Sequence, residues 1–92
     1  MTKKATISLG EALDIAHVGK LKPRLTNCLA KNLPVQIAAD KIEKVDSAGL
    51  QLMCCFIREV ENKGNPVTWT KTSDSIFTIA ELLGLTNSLK LK

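Results

Sequence analysis

The sequence predicts a small α/β domain, with a mostly parallel sheet of about four strands packed against three to four helices. The hydrophobic period switches along the chain between two residues and about 3.6 residues. Short apolar segments also alternate with longer amphipathic ones. Strands that alternate with helices form crossover units, which place neighbouring strands parallel. The 92 residues suffice for one compact domain, which we expect to span residues 1–92.

The first third of the chain predicts one strand and one helix. Thr6–Leu9 alternates between polar and apolar residues, as a short strand does. A helical period then predicts a helix that starts near Val18 and reaches about Lys31, and Asp14 could cap its start. Because a proline inside a helix removes a backbone hydrogen bond, we expect an irregular first turn or a kink near Pro23.

The middle of the chain predicts an inner strand and a second helix. Val35–Ala39 is a short apolar segment bounded by turn residues, which is typical of a buried strand. A polar loop follows, and the apolar stripe of the second helix begins at Asp46 or Ser47 and reaches Val60. The turn residues 63–65 end this helix.

The last third predicts another strand and a third helix. Val67–Thr70 has the composition of a strand, and residues 73–75 offer caps for a helix over Ile76–Leu83. Gly84 closes that helix. The remaining tail has three leucines and fits either a short strand or a turn of helix.

Composition indicates a cytoplasmic protein. No apolar run is long enough to span a bilayer, so we expect no membrane insertion, and the first residues lack the apolar stretch of a signal peptide. Three cysteines, two of them adjacent, make no ordinary disulfide framework, and we expect reduced, mostly buried thiols. The net charge is +4, but the basic residues are scattered and only 3 % of residues are aromatic. We therefore expect a solvated basic surface and no nucleic-acid partner.

The sequence offers little for catalysis. His17 is the only histidine, which excludes His-based triads and multi-His metal sites. The glycines are isolated, so no phosphate-binding glycine-rich loop is present. We expect a protein that is not an enzyme, with no catalytic residue, no metal site and no cofactor.

One segment, Val45–Leu50, carries a specific chemistry. It places the carboxylate of Asp46 and the hydroxyl of Ser47 at the start of the second helix. Free backbone N–H groups and the helix dipole favour negative charge there, including a phosphoryl group on a hydroxyl. The same pattern also fits a plain N-cap formed by Asp46 or by Ser47.

With this segment the chain resembles the STAS family, the domain shared by sulfate transporters and anti-sigma-factor antagonists. The most specific mark is the Asp-Ser-x-Gly-Leu stretch that begins at Asp46, preceded by an apolar residue. The resemblance covers nearly the whole chain, and residues 13–18 look like those of small stand-alone members associated with bacterial chemotaxis operons. The other matching segments are residues 11–14, 35–37, 64–67 and 79–85.

The resemblance implies a regulatory binding protein that acts by partner switching. In the family, a cognate serine kinase phosphorylates the hydroxyl directly after the Asp, which corresponds to Ser47 here. The implied partner is such a kinase, resembling an anti-sigma factor, or another signalling protein. The residues expected to contact the partner, some of them on the outer face of the second helix, are Asp14, Asp46, Ser47, Ala48, Gly49, Gln51 and Arg58.

Two alternatives remain open at the level of sequence. The outer face of the second helix, with Gln51, Cys55, Arg58 and Asn62, fits an ordinary solvated face as well as a partner-binding face. The second function class that stays open is a constitutive accessory subunit, as in STAS-like proteins that dock on the ATPase of a bacterial lipid-transport ABC system. In that case the surface around Ser47 binds a partner without being modified.

Overall fold

A computed structural model describes residues 3–91, so Met1, Thr2 and Lys92 of the predicted domain lie outside the described residues. The described chain has five strands and three helices, which confirms the predicted α/β class. In order they are β1 (Ala5–Ser8), β2 (Ala12–Leu13), α1 (Val18–Ala30), β3 (Val35–Ala39), β4 (Lys44–Val45), α2 (Ser47–Asn62), β5 (Val67–Thr72) and α3 (Asp74–Leu82).

The described strands form two separate parallel sheets. The main sheet has the order β1-β3-β5, so the three strands predicted from the sequence share one sheet with β3 at its centre. Strands β2 and β4 pair with each other, with Leu13 opposite Val45. The mostly parallel arrangement is confirmed, but the strands divide three and two. The predicted polar loop contains β4, which the sequence could not reveal because a two-residue strand shows no period.

The core lies between the main sheet and the apolar faces of α1 and α2, while α3 contacts β4 of the small sheet. Helix α1 contacts β1 and α2, and α2 contacts β5. Helix α1 buries Leu21, Leu25 and Cys28, while α2 buries a longer stripe that includes Leu50 and Ile57. Each fully buried aliphatic side chain contributes about 1.5–3 kcal/mol of transfer free energy. This packing fixes the position of α2, and with it the position of its N-terminus.

The beginning of α1 differs from one of the sequence predictions. Asp14 does not cap the helix, because the N-cap position is His17, which makes no capping hydrogen bond with its side chain. Residues 14–17 form a turn that precedes the helix. The N–H groups of Lys20 and Leu21 both donate to the carbonyl of His17, a shared bond that is common at helix ends. The helix then continues through Pro23.

The remaining predictions for the C-terminal half agree with the structure to within two residues at each boundary. Helix α3 is capped by Ser73, one of the three expected capping residues. The tail after α3 forms turns, in which the N–H of Leu89 donates to the carbonyl of Leu85 over 2.9 Å. Leu89 is fully buried, and its carbonyl accepts a hydrogen bond from Trp69 Nε1 at 2.6 Å. These contacts anchor the tail to β5.

The three cysteines are all free. Cys28 and Cys54 are buried and Cys55 is exposed, which agrees with the prediction of mostly buried thiols. Burial raises the pKa of the Cys28 and Cys54 thiols above the ordinary value, so both stay protonated at neutral pH.

Candidate partner-binding site

The candidate site lies where β4 runs into α2. Asp46 is the N-cap of α2 in an extended conformation, and Ser47 is the first residue of the helix. Strand β2 pairs with β4, so the turn at residues 14–17, which follows β2, lies beside the start of α2. The small second sheet therefore brings together two segments that are far apart in sequence.

Asp46 holds these two segments together with its carboxylate. One oxygen accepts a hydrogen bond from the N–H of Gly49 over 3.0 Å, which caps α2. The other oxygen accepts from the N–H of Ile15 over 2.9 Å, which ties the turn to the helix. The N–H of Asp46 also donates to the carbonyl of Leu13 at 3.2 Å. The structure thus decides the question left open by the sequence, because the cap of α2 is Asp46.

Gly49 permits the close approach of α2 to β2. It is buried, and a Cβ atom built on it would overlap the carbonyl oxygen of Leu13. Any larger residue would have to push the helix away from the strand or displace the backbone of Leu13. Asp46 and Gly49 of the Asp-Ser-x-Gly-Leu stretch therefore have structural roles, since one bonds to β2 and its following turn while the other makes room for them.

Ser47 has no comparable structural role. It is exposed, and its hydroxyl makes no hydrogen bond with any residue in the described part of the chain. It lies at the helix N-terminus, where the aligned peptide dipoles are equivalent to roughly half a positive charge. The location can accommodate added negative charge, and the hydroxyl is accessible to another protein.

Asp14 lies in the turn that Asp46 holds in place. His17 Nδ1 donates to Asp14 Oδ1 over 2.6 Å, and this hydrogen bond lowers the pKa of the Asp14 carboxyl. The next residue along the chain, Ile15, is the one bonded to Asp46. Asp14, one of the residues expected to contact the partner, therefore lies in the turn beside the start of α2.

Ile15 is a candidate contact residue that the sequence analysis missed. Ile15 is 67 % exposed, and its backbone is fixed by the hydrogen bond to Asp46. The sequence did contain a signal for it. Ile15 precedes the buried α1 stripe of Leu21, Leu25 and Cys28 and does not belong to it.

The outer face of α2 is exposed as predicted. Its members are Gln51, Cys55, Arg58 and Asn62. Gln51 follows Ser47 by one helical turn, so this face continues from Ser47 along the helix. Ala48, the remaining predicted contact residue, is half-buried beside Ser47. The structure therefore places the predicted residues along α2, from its N-cap to Arg58, and in the turn next to it.

The arrangement offers an accessible hydroxyl at a helix N-terminus and a fixed exposed surface around it. Within residues 3–91, no group of three His, Cys, Asp or Glu residues is placed to hold a metal ion. Over the same residues, no helix has the length and hydropathy needed to cross a bilayer.

Comparison with known proteins assigns this fold and this motif to one family. A family model described as "Mlab, STAS domain" matches residues 2–91. No curated protein matches the sequence significantly. The match covers nearly the whole chain, and the structure is the small α/β domain with parallel strands that the hydrophobic pattern predicts. The chain belongs to the STAS domain family.

Proposed function

We propose that the protein is a non-enzymatic regulatory binding protein that switches partners through reversible phosphorylation of Ser47. The observation that carries this proposal is that Asp46 and Ser47 have different roles at the start of α2. Asp46 supplies the cap, so the hydroxyl of Ser47 is left exposed and unbonded within the described chain. The STAS domain also suggests the anti-sigma-factor-antagonist-like superfamily, and STAS domains generally interact with partner proteins.

A phosphate on Ser47 would affect the fold and a complex differently. It adds a charge of about −1.5 to −2. At the N-terminus of α2 the helix dipole compensates part of this charge, and the exposed position leaves the phosphate in water. A partner packed over Ser47 would instead have to desolvate the phosphate next to the carboxylate of Asp46. The modification is therefore tolerated by the free protein and costly for the complex.

The kinase would supply the catalytic groups for this step. A serine kinase brings ATP, magnesium and a base, takes the proton from the Ser47 hydroxyl and transfers the terminal phosphoryl group of ATP to its oxygen. The present chain needs to provide only an accessible serine and a surface that the kinase recognises. Ile15 and the outer face of α2 are the exposed features next to Ser47 that could provide this surface.

A second candidate function is that of a constitutive accessory subunit on the ATPase of a bacterial lipid-transport ABC system. One observation favours it. Asp46 and Gly49 both have structural roles in the fold, so the motif does not require a phosphate to explain two of its residues. On this account the same surface around Ser47 docks on the ATPase and is never modified.

The two functions can be separated by mapping phosphate on the protein isolated from its native cells. The same protein is also incubated with native lysate and ATP, and Ser47→Ala serves as the matched control. Partner switching predicts phosphate on Ser47 and none in the Ser47→Ala variant. Unmodified Ser47 under both conditions, together with stable co-purification of an ABC ATPase, would favour the accessory subunit. Genes for a serine kinase or for a transporter beside this gene would give the same distinction independently.

A further inference from the structure

The excess positive charge of the chain is concentrated on one helix. Residues 18–31, which comprise α1 and its C-cap, contain four basic residues and no acidic residue. The other residues of the chain contain nine basic and nine acidic side chains, so they are neutral overall. The net charge of +4 is therefore the charge of α1. The four basic residues are Lys20, Lys22, Arg24 and Lys31.

These side chains are all exposed, but they do not share one face of α1. Lys20, Arg24 and Lys31 recur at helical spacing on one face. Lys22 lies on the other side of the helix, where it lines a groove with residues of α2. The helix turns Leu21, Leu25 and Cys28 towards the core, and its four basic residues are exposed. Arg24 donates to the carbonyl of Ser8 at 2.6 Å, which holds its guanidinium beside β1. The three lysines form no ion pair with any residue between positions 3 and 91. Their charge is not neutralised within the described protein and is available to a partner.

The surface next to the start of α1 carries both signs of charge. A groove of about 490 Å³ lies between the β1–β2 turn, α1 and the segment leading into β4. Lys20, Arg24 and Lys44 line it together with Glu11 and Glu43. A uniformly anionic layer, such as a nucleic-acid backbone or a charged membrane, would meet both carboxylates as well as the basic groups.

We propose that the face of α1 that carries Lys20, Arg24 and Lys31 is a docking surface for an acidic segment of a partner protein. Protein surfaces carry charges of both signs. An acidic segment of a partner can therefore lie on the basic residues of α1, while neighbouring partner residues of both charges contact the groove. A helix that binds a membrane surface would also need exposed apolar side chains. The large apolar side chains exposed in the described chain are Ile15, Leu82 and Leu83, and none of them lies on α1.

This surface is separate from the phosphorylation proposed for Ser47. The basic residues lie on α1, whereas Ser47 begins α2, and the charge of α1 exists whether or not the serine is modified. The attraction acts over distances of about 10 Å at ordinary ionic strength and weakens as salt is added. Its expected effects are faster association with acidic partners and a dependence of affinity on salt.

The test compares two double variants that change the net charge equally. Lys20→Glu with Lys31→Glu reverses two charges on α1, and Lys63→Glu with Lys71→Glu reverses two elsewhere. Lys31 and Lys63 are both C-cap residues, of α1 and α2 respectively, so the helix-end effects are matched. The probe is a fluorescently labelled, glutamate-rich peptide at low ionic strength, with duplex DNA and phosphatidylglycerol vesicles as the competing classes. Melting curves verify that both variants are folded.

We expect the α1 variant to bind the peptide at least about fivefold more weakly than the control variant. Binding of the wild type should also weaken when salt is added. Equal affinities of the two variants for the peptide would overturn the proposal, and so would the absence of measurable binding by the wild type. Tighter binding to DNA or to vesicles than to the peptide would overturn the choice of a protein partner.

Discussion

Helices α2 and α3 begin with the same two residue types in opposite order, Asp46-Ser47 at α2 and Ser73-Asp74 at α3. At α2 the carboxylate caps the helix by accepting from the N–H of Gly49 at 3.0 Å, and the serine is left free. At α3 the serine hydroxyl accepts from the N–H of Ile76 at 3.3 Å, and the aspartate is the exposed first residue.

The difference shows that the order of the two residues decides which group the fold uses. The residue before the helix is occupied by capping, and the next residue is left to the solvent. At α3 the free group is the carboxylate of Asp74, which suits the helix dipole but cannot accept a phosphoryl group as a stable modification. At α2 the free group is the hydroxyl of Ser47, and a serine hydroxyl can carry a phosphoryl group as a stable modification.

The third residue after the cap gives the largest predicted contrast between the two helices. It is Gly49 in α2, against the backbone of Leu13, and the buried Ile76 in α3. Because a Cβ at position 49 overlaps the Leu13 carbonyl, Gly49→Ala should lower the free energy of unfolding by about 3 kcal/mol. Denaturant unfolding measures this loss.

Gly19→Ala is the matched control for that substitution. Gly19 lies in the first turn of α1, and a Cβ there meets nothing within 4 Å. This variant should raise the free energy of unfolding by about 0.4–1 kcal/mol, because alanine restricts the unfolded chain more than glycine does. If Gly49→Ala proved as stable as Gly19→Ala, the claim that α2 approaches β2 too closely for a Cβ at position 49 would be contradicted.

The two capping residues should differ in their contribution to stability. Asp46→Ala removes two hydrogen bonds to backbone N–H groups, those of Gly49 and Ile15, and should cost about 2–3 kcal/mol. Ser73→Ala removes one such bond and should cost about 1 kcal/mol. Thermal and denaturant unfolding of both variants provide the comparison. Equal losses would show that the bond from Ile15 to Asp46 contributes nothing.

The smallest predicted effect concerns the turn at residues 14–17, which lies beside the start of α2. The hydrogen bond from His17 lowers the pKa of the Asp14 carboxyl, so the ionised form is favoured by folding. Its contribution to stability is present above the pKa of the unfolded chain and is lost as the pH falls through the lower folded pKa. In an NMR titration, His17→Ala should raise the pKa of Asp14 towards the ordinary value for aspartate. An unchanged midpoint would contradict this assignment.

The sequence was sufficient to predict the helices and strands that are long enough to show a hydrophobic period. Helix α2 is the clearest example, because its apolar stripe, from Leu50 to Val60, is buried in the structure. The sequence could not predict the pairing of Ala12–Leu13 with Lys44–Val45, since two residues show no period. The second sheet exists because distant backbone segments meet, and this is decided by the tertiary packing.

The candidate site divides in the same way. Asp46 and Ser47 were predicted from the chemistry of a helix start, and both lie there. Neither the second hydrogen bond of Asp46 nor the exposure of Ile15 could be predicted, because that bond joins residues 31 positions apart. The choice of Asp46 as the cap also required geometry, since serine and aspartate are about equally good capping residues.

The most direct test of the central claim adds the same negative charge at the start of each helix. Ser47→Asp and Ser73→Asp should both remain folded, because Asp46 still caps α2 and the new aspartate can cap α3. The measurement is a titration of each variant, and of Ser47→Ala, with the partner purified from native cells. We predict that Ser47→Asp binds at least ~10-fold more weakly, a loss of about 1.4 kcal/mol, while Ser47→Ala and Ser73→Asp bind like the wild type. Equal affinity of the wild type and Ser47→Asp would contradict the proposed switch.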